Sequence, residues 1–205
     1  MGRMCKTMRL FFDTETSGLP KFVKGVRFPN PALYDKHYSS ARLLELAWLG
    51  YNGKHEFCRK QYIIKPNNVK ISKASIKIHG LTMEKCLSEG IDINEVFDEF
   101  EKDLSFVDWI IGHNVDFDYN IILAEAYRNK RYSLITKLTD TNRFCSWIYA
   151  TNFFNLPKNN LGYLYHHLIG KEHKNSHRAM GDTEAVKDIF FELERRNTGH
   201  CSFFD

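Results

Sequence analysis

The hydrophobic positions of the chain fall into two periods, and their order along the chain predicts the architecture. Met8 to Phe12 is a short apolar run of the kind that makes a buried strand. Leu43 to Tyr51 reads as a second strand and Phe57 to Ile64 as a third, with Asn52-Gly53 as the hairpin turn between them. Ser72 to His79 and Thr82 to Ser88 read as short helices separated by Gly80. Ile93, Val96, Phe97, Phe100 and Leu104 then recur at helical spacing with a charged outer face. Trp109 to His113 is a fourth apolar strand, followed by a helix carrying Ile121, Ile122, Ala124, Ala126 and Tyr127. Thr139-Asp140-Thr141 is placed on a short fifth strand. Helical patterns return at Ser146 to Asn152, Leu161 to Ile169 and Gly181 to Arg196, with Pro157 and Gly170 as breaks. Strands that first meander and then alternate with helices predict one α/β domain with a mixed five-stranded sheet.

The polar stretches refine this. After Leu19 the chain enters a segment rich in proline and mixed charge, at about 20–42, which reads as an ordered surface loop rather than an element. Its basic residues Lys21, Lys24 and Arg27 adjoin in sequence the carboxylates that precede it, where they can meet phosphates. No repeat, low-complexity segment or linker divides residues 1–205, so a single domain is expected, with its core at about 8–196.

Composition adds little but excludes some classes. With 43% hydrophobic and 26% charged residues the chain has the make-up of an ordinary globular protein, and its net charge of +4 is compatible with a polyanionic partner. Five scattered cysteines without a Cys-x-x-Cys pair argue for free thiols in a reducing compartment. The apolar run at Met8 is too short for a signal peptide, and no stretch approaches membrane-spanning length. A cytoplasmic or nuclear protein is therefore expected.

The chemistry lies where strands end. In an extended chain, side chains two apart share a face, so Asp13 and Glu15 converge at the end of the first strand. Adjacent anions repel unless a cation lies between them, and hard oxygen ligands suit Mg²⁺ or Mn²⁺. The fourth strand ends similarly, in His113-Asn114-Val115-Asp116-Phe117-Asp118. Asp116 stands where a helix N-cap is wanted, while Asp118 falls in the first helical turn and can face a crevice shared with the first strand. His177-Arg178-Ala179-Met180-Gly181-Asp182 leads into the last helix, so a loop can carry His177 over a crevice into which Asp182 points.

These three segments, in this order, resemble the motifs of the DEDDh 3′→5′ exonucleases, the family of DnaQ-type proofreading subunits, ribonuclease T and the TREX nucleases. Ile78-His79-Gly80-Leu81-Thr82 and Asp140-Thr141 resemble secondary features of that family. The resemblance implies an RNase H-like fold and two-metal hydrolysis at nucleic-acid 3′ ends. On it, Asp13 bridges both ions, Glu15 and Asp182 complete one, and Asp118 holds the other. Two ions roughly 4 Å apart can activate a water on one side of a phosphodiester and stabilise the leaving oxyanion on the other. His177 would be the general base, since an ordinary imidazole titrates near pH ~6.5. Thr16, Ser17, Gly18 and Leu19 would hold the terminal nucleotide, His79 and Leu81 would line its pocket, and Asn114 would steady the turn before Asp118. Phe22, Phe28 and Tyr34 in the long loop could stack on unpaired bases or anchor the loop.

DNA is the favoured substrate on this resemblance. A ribonuclease T-like or oligoribonuclease-like RNA exonuclease uses the same chemistry, because metal ligands acting on phosphate cannot sense a 2′-hydroxyl. A catalytically silent nucleic-acid-binding domain would share the fold but has no need of all five site residues. A structural zinc site among Cys145, His166, His167, His173 and His177 is the rival metal reading, weakened by the lack of paired ligand spacing. A homodimer or a polymerase or repair partner is left open.

Overall fold

The computed structural model describes residues 7–196 apart from 22, 68, 155–159 and 175. Its first strand, β1 (Met8–Thr16), outruns the apolar segment and carries Asp13 and Glu15 within the sheet rather than past its end. β1 is the middle strand of five in the order β3-β2-β1-β4-β5. On one side it pairs antiparallel with β2 (Leu43–Asn52), which pairs antiparallel with β3 (His55–Ile63). On the other it pairs parallel with β4 (Trp109–Gly112), and β4 with β5 (Asn142–Cys145). The expected mixed five-stranded sheet is therefore present, and with its flanking helices it has the expected RNase H-like fold.

The helices, in chain order, are α1 (Pro31–Tyr34), α2 (Lys73–His79), α3 (Met83–Glu89), α4 (Ile93–Leu104) and α5 (Val115–Arg128). They continue with α6 (Tyr132–Asp140), α7 (Ser146–Phe154), α8 (Leu161–Ile169) and α9 (Ala179–Arg196). Side chains alternate across β1, and this sorts the helices into two layers. Leu10 and Phe12 pack with Phe97 and Phe100 of α4, Ile121 and Ile122 of α5 and Leu134 of α6. Phe11 points the other way and packs with Leu49, Val186 and Phe190, the last two from α9. Each such buried side chain contributes roughly 1.5–3 kcal/mol. Ion pairs with one buried partner each fix both ends of α9: buried Arg9 meets Glu194 at 2.6 Å, and buried Glu45 of β2 meets Arg178 at 2.6 Å.

Four local expectations are corrected. Asn52 pairs with His55, so the hairpin turn is Gly53-Lys54, with Gly53 supplying the positive φ of 60° that such turns need. The 20–42 segment is not element-free: it holds α1 and a 3₁₀ turn at Asp35–Tyr38, whose buried Tyr38 hydroxyl donates to the Pro29 carbonyl at 2.8 Å. Thr139 and Asp140 end α6, a helix whose Leu134, Ile135 and Leu138 are buried at helical spacing, and the fifth strand begins at Asn142. Asp116 is not the N-cap of α5. Asn114 holds that position in the left-handed conformation, and Asp116 pairs with Arg143 at 2.8 Å. The break expected at Pro157 lies outside the described residues. Cys58, Cys86 and Cys145 are free thiols, as expected.

Candidate active site

Alternation along β1 also builds the site. Asp13 and Glu15 follow Phe11 onto the face covered by α9, and Asp182 enters from the first turn of that helix. Carboxylate oxygens of Asp13, Glu15 and Asp182 all lie within 4.8 Å of one another, the only cluster of three or more potential ligands among the described residues. The histidine-rich stretch forms no such cluster there, so the zinc reading has no geometric support. Asp118 arrives from the other layer. It is buried, and its Oδ1 accepts bonds from the Thr14 amide at 3.0 Å and the Thr14 hydroxyl at 2.5 Å. Thr14 points away from Asp13 and Glu15, so one strand end presents carboxylates to α9 and a clamp to α5.

The electrostatics separate this group from other buried acids. Burial pushes the Glu15 carboxyl up to about 8, reinforced by Asp182, Glu45 and Asp118 and partly opposed by Arg178. Asp13 is raised well above the ordinary range by burial, then by Asp118, Asp182 and Glu15. Asp118 is raised by burial despite the two Thr14 bonds, with Asp182 adding to the shift. Asp13, Glu15 and Asp118 resist ionisation, and with Asp182 they offer only hard oxygen donors, a set that fits a divalent cation of the Mg²⁺ or Mn²⁺ type.

Glu45 is the contrast. It stands opposite Glu15 in the β1–β2 register and is wholly buried. Burial disfavours its charge, but bonds from Arg178, the Ala179 amide and Gln61 outweigh that and hold its carboxyl below the usual range. Arg178 and Ala179 directly follow His177. The His177 imidazole is exposed, its backbone is left-handed with φ of 65°, and its amide donates to Asp182 Oδ2 at 3.3 Å. A left-handed conformation costs a residue with a β-carbon roughly 1–2 kcal/mol, so the contacts on either side must hold it. His173 Nε2 meets the other Asp182 oxygen at 2.5 Å.

The expected nucleotide-holding residues divide. Ser17 is buried: its hydroxyl donates to the Ser40 carbonyl and accepts from the Arg42 amide, both at 2.9 Å, tying β1 to the next strand. Thr16 is buried and donates to the Gly18 carbonyl at 2.8 Å. A β-carbon on Gly18 would lie 2.7 Å from the Ser40 carbonyl oxygen, so only glycine fits this crossing. Leu19 is 75% exposed at the rim of a cleft of about 810 Å³, lined also by Ser17, Gly18, Lys70, Lys73 and Ile78. His79 and Leu81 are not on that surface. His79 Nδ1 accepts the Leu81 amide and Nε2 donates to the Thr16 carbonyl at 3.1 Å, while Leu81 is wholly buried beside Leu44 and Ile71. They brace the pocket from behind. Asn114, with φ of 62° and ψ of 43°, makes the turn before Asp118, a conformation asparagine tolerates well. Phe28 packs on Phe117, with ring centroids 5.9 Å apart, and Arg27 lies 4.3 Å over the Trp147 ring, so these residues anchor the long loop. Phe22 and the Tyr34 side chain lie outside the described residues.

Thr14, Glu45 and Arg178 were not singled out in the sequence as site residues, and His173 was weighed there only as a zinc ligand. The two-residue period does put Thr14 on the opposite face of β1, but its partner Asp118 is set by packing. Glu45 is paired through a register fixed only by the folded sheet.

The chain matches the exonuclease family over residues 10–190. Among solved structures it is similar to E. coli exonuclease I in a zinc-ion-bound complex with single-stranded DNA, with TM-score 0.72 and 21% identity over 94% of this chain. It is likewise similar to exonuclease I in the structure described as suggesting how processivity is achieved (TM-score 0.74, 21% identity, 94% of this chain). A third match is to the E. coli enzyme in complex with a dT13 oligonucleotide (TM-score 0.72, 21% identity, 94% of this chain). The chain spans about two fifths of the exonuclease I length, covering 41% to 42% in these three. No curated protein sequence matches it.

Proposed function

Because the chain belongs to the exonuclease family of DEDDh 3′→5′ exonucleases, we propose that it removes nucleotides from the 3′ end of nucleic acid, with DNA favoured, at the carboxylate cluster beside β1. The observation that carries this is the convergence of Asp13, Glu15 and Asp182 within 4.8 Å of one another. The family depends on divalent metal. Asp13, Glu15 and Asp182 would hold one Mg²⁺ or Mn²⁺ ion, and Asp13 with Asp118 a second. When bound, such ions supply a nucleophilic water at neutral pH and neutralise charge on the leaving oxygen.

The remaining work falls to side chains. His177 accepts the proton of the attacking water at a ring nitrogen, and its exposed loop lets it close over substrate. Thr14 holds Asp118 Oδ1 and leaves the other carboxylate oxygen for the site. His173 braces Asp182 in the same way. Leu19 offers an apolar edge to the terminal base, and Lys70 and Lys73 line the same cleft, where they favour phosphates. The exonuclease I complexes hold single-stranded DNA, which supports the DNA preference.

Matched 5′-labelled single-stranded DNA, duplex DNA and RNA, incubated with Mg²⁺ with and without EDTA, test this reading. A ladder shortened from the 3′ end, abolished by chelator and by Asp13→Ala, is expected, with single-stranded DNA cut fastest. Cleavage indifferent to both treatments overturns the mechanism. Faster cleavage of RNA overturns the substrate preference alone.

A further inference from the structure

Outside the carboxylate cluster, the buried charge in closest register with it is Glu45. A wholly buried glutamate is costly unless paired, and this one takes three of its four hydrogen bonds from a single short segment. Glu45 Oε1 accepts from Arg178 Nη2 at 2.6 Å, and Oε2 accepts from Arg178 Nε at 3.2 Å and from the Ala179 amide at 3.1 Å. Gln61 of β3 donates to Oε1 at 2.8 Å and fixes the carboxylate from the far side. Two consecutive residues, a side chain and a backbone amide, are thus fastened to one rigid point on a strand buried on both faces. The residue immediately before them is His177, whose backbone is left-handed and whose amide meets Asp182.

We infer that Glu45 and Arg178 form a positioning clamp that sets where the His177 imidazole stands relative to the carboxylate cluster. This rests on His177 acting as the general base. A planar guanidinium gripped through two nitrogens fixes orientation as well as distance, which a lysine in its place does not. Glu45 lies beside Glu15 in the strand register, but all four of its side-chain hydrogen bonds go to Arg178, Ala179 and Gln61. It acts through the loop.

Glu45→Gln keeps the shape and removes the charge. Because the residue is buried, Arg178→Gln is measured beside it, with Arg178→Lys as the conservative partner. Steady-state cleavage of a single-stranded DNA oligonucleotide with Mg²⁺ is expected to show kcat lowered on the order of 10²-fold, with KM within about a factor of two. Arg178→Lys is expected to recover part of the loss. In a His177→Ala background either substitution should lower kcat by less than about twofold, because residues acting through one group are not additive. Mn²⁺ affinity should change far less than kcat, since the two side chains reach the cluster only through their charge. A loss that multiplies into His177→Ala, or one that travels with comparably weakened Mn²⁺ binding, overturns the clamp and assigns Glu45 to general stability or to the metal site. Full kcat in folded Arg178→Gln overturns it too. Full turnover by His177→Ala instead removes the base assignment, and the clamp with it, whereas a slow His177→Ala beside a normal Arg178→Gln leaves the base standing.

Discussion

Glu15 and Glu45 face one another across two paired strands, yet they are opposite kinds of acid. Glu45 is met by a guanidinium, a backbone amide and a side-chain amide, and its carboxyl is held below the ordinary range. Glu15 is met by Asp13 and Asp182, and its carboxyl rises to about 8. Burial works against the charge at both positions, so the neighbours decide. A buried acid whose partners come from the chain is structural, and one whose neighbours are acids waits for a cation from solution.

Substitution should separate the two kinds most strongly through activity. Asp13→Asn is expected to lower turnover by at least ~10³-fold, while raising the melting temperature of the metal-free protein at alkaline pH, where the parent acid ionises and repels its neighbours. Calorimetry beside the cleavage assay checks both signs, and an active or a destabilised variant breaks the contrast. Glu45→Ala should go the other way in stability, since it removes charged hydrogen bonds from the partly exposed Arg178 and from the Ala179 amide, a loss of about 2–3 kcal/mol. In a chain of this length that is a fall in melting temperature on the order of 10 °C.

Proton linkage sharpens the comparison further. Glu15, Asp13 and Asp118 have folded-state carboxyls raised above their unfolded values, so their contribution is fully present below pH ~4 and lost as pH rises, through about 7 for Asp118 and about 8 for Glu15. The metal-free protein should therefore melt progressively lower between pH ~5 and ~8, and saturating Mg²⁺ should flatten that slope. Glu45, with a lowered carboxyl, adds stability above its unfolded value that is lost only as pH falls below ~4. A metal-free melting temperature that climbs over the neutral range contradicts the assignment. The smallest effect is expected at Thr14→Val, which removes one of two bonds to Asp118 Oδ1 and should lower activity about 10-fold with little change in melting temperature.

The sequence reveals the acids but not what surrounds them. Asp13, Glu15, Asp118 and Asp182 stand at the ends of apolar strands or the starts of helices, and a local pattern exposes such positions. The pairing of Glu45 with Arg178 spans 133 residues and depends on β2 register and on the placement of α9, neither of which local periodicity encodes. The misplaced fifth strand shows the same limit: Leu134, Ile135 and Leu138 have helical spacing, but the Asp140-Thr141 resemblance drew the strand boundary three residues too early. Asp116 misled for a related reason. A capping residue is favoured where the helix begins, and only the left-handed Asn114 shows that α5 starts two residues earlier.

Mn²⁺ titration of the metal-free chain near pH 7, followed by calorimetry in buffers of different ionisation enthalpy, addresses the cluster itself. Saturable binding that releases protons is expected, because carboxyls raised by burial and mutual repulsion must ionise to take the metal, and Asp13→Asn should abolish it. Absence of binding, binding without proton release, or binding that Asp13→Asn leaves intact would contradict a divalent metal site built from Asp13, Glu15, Asp118 and Asp182.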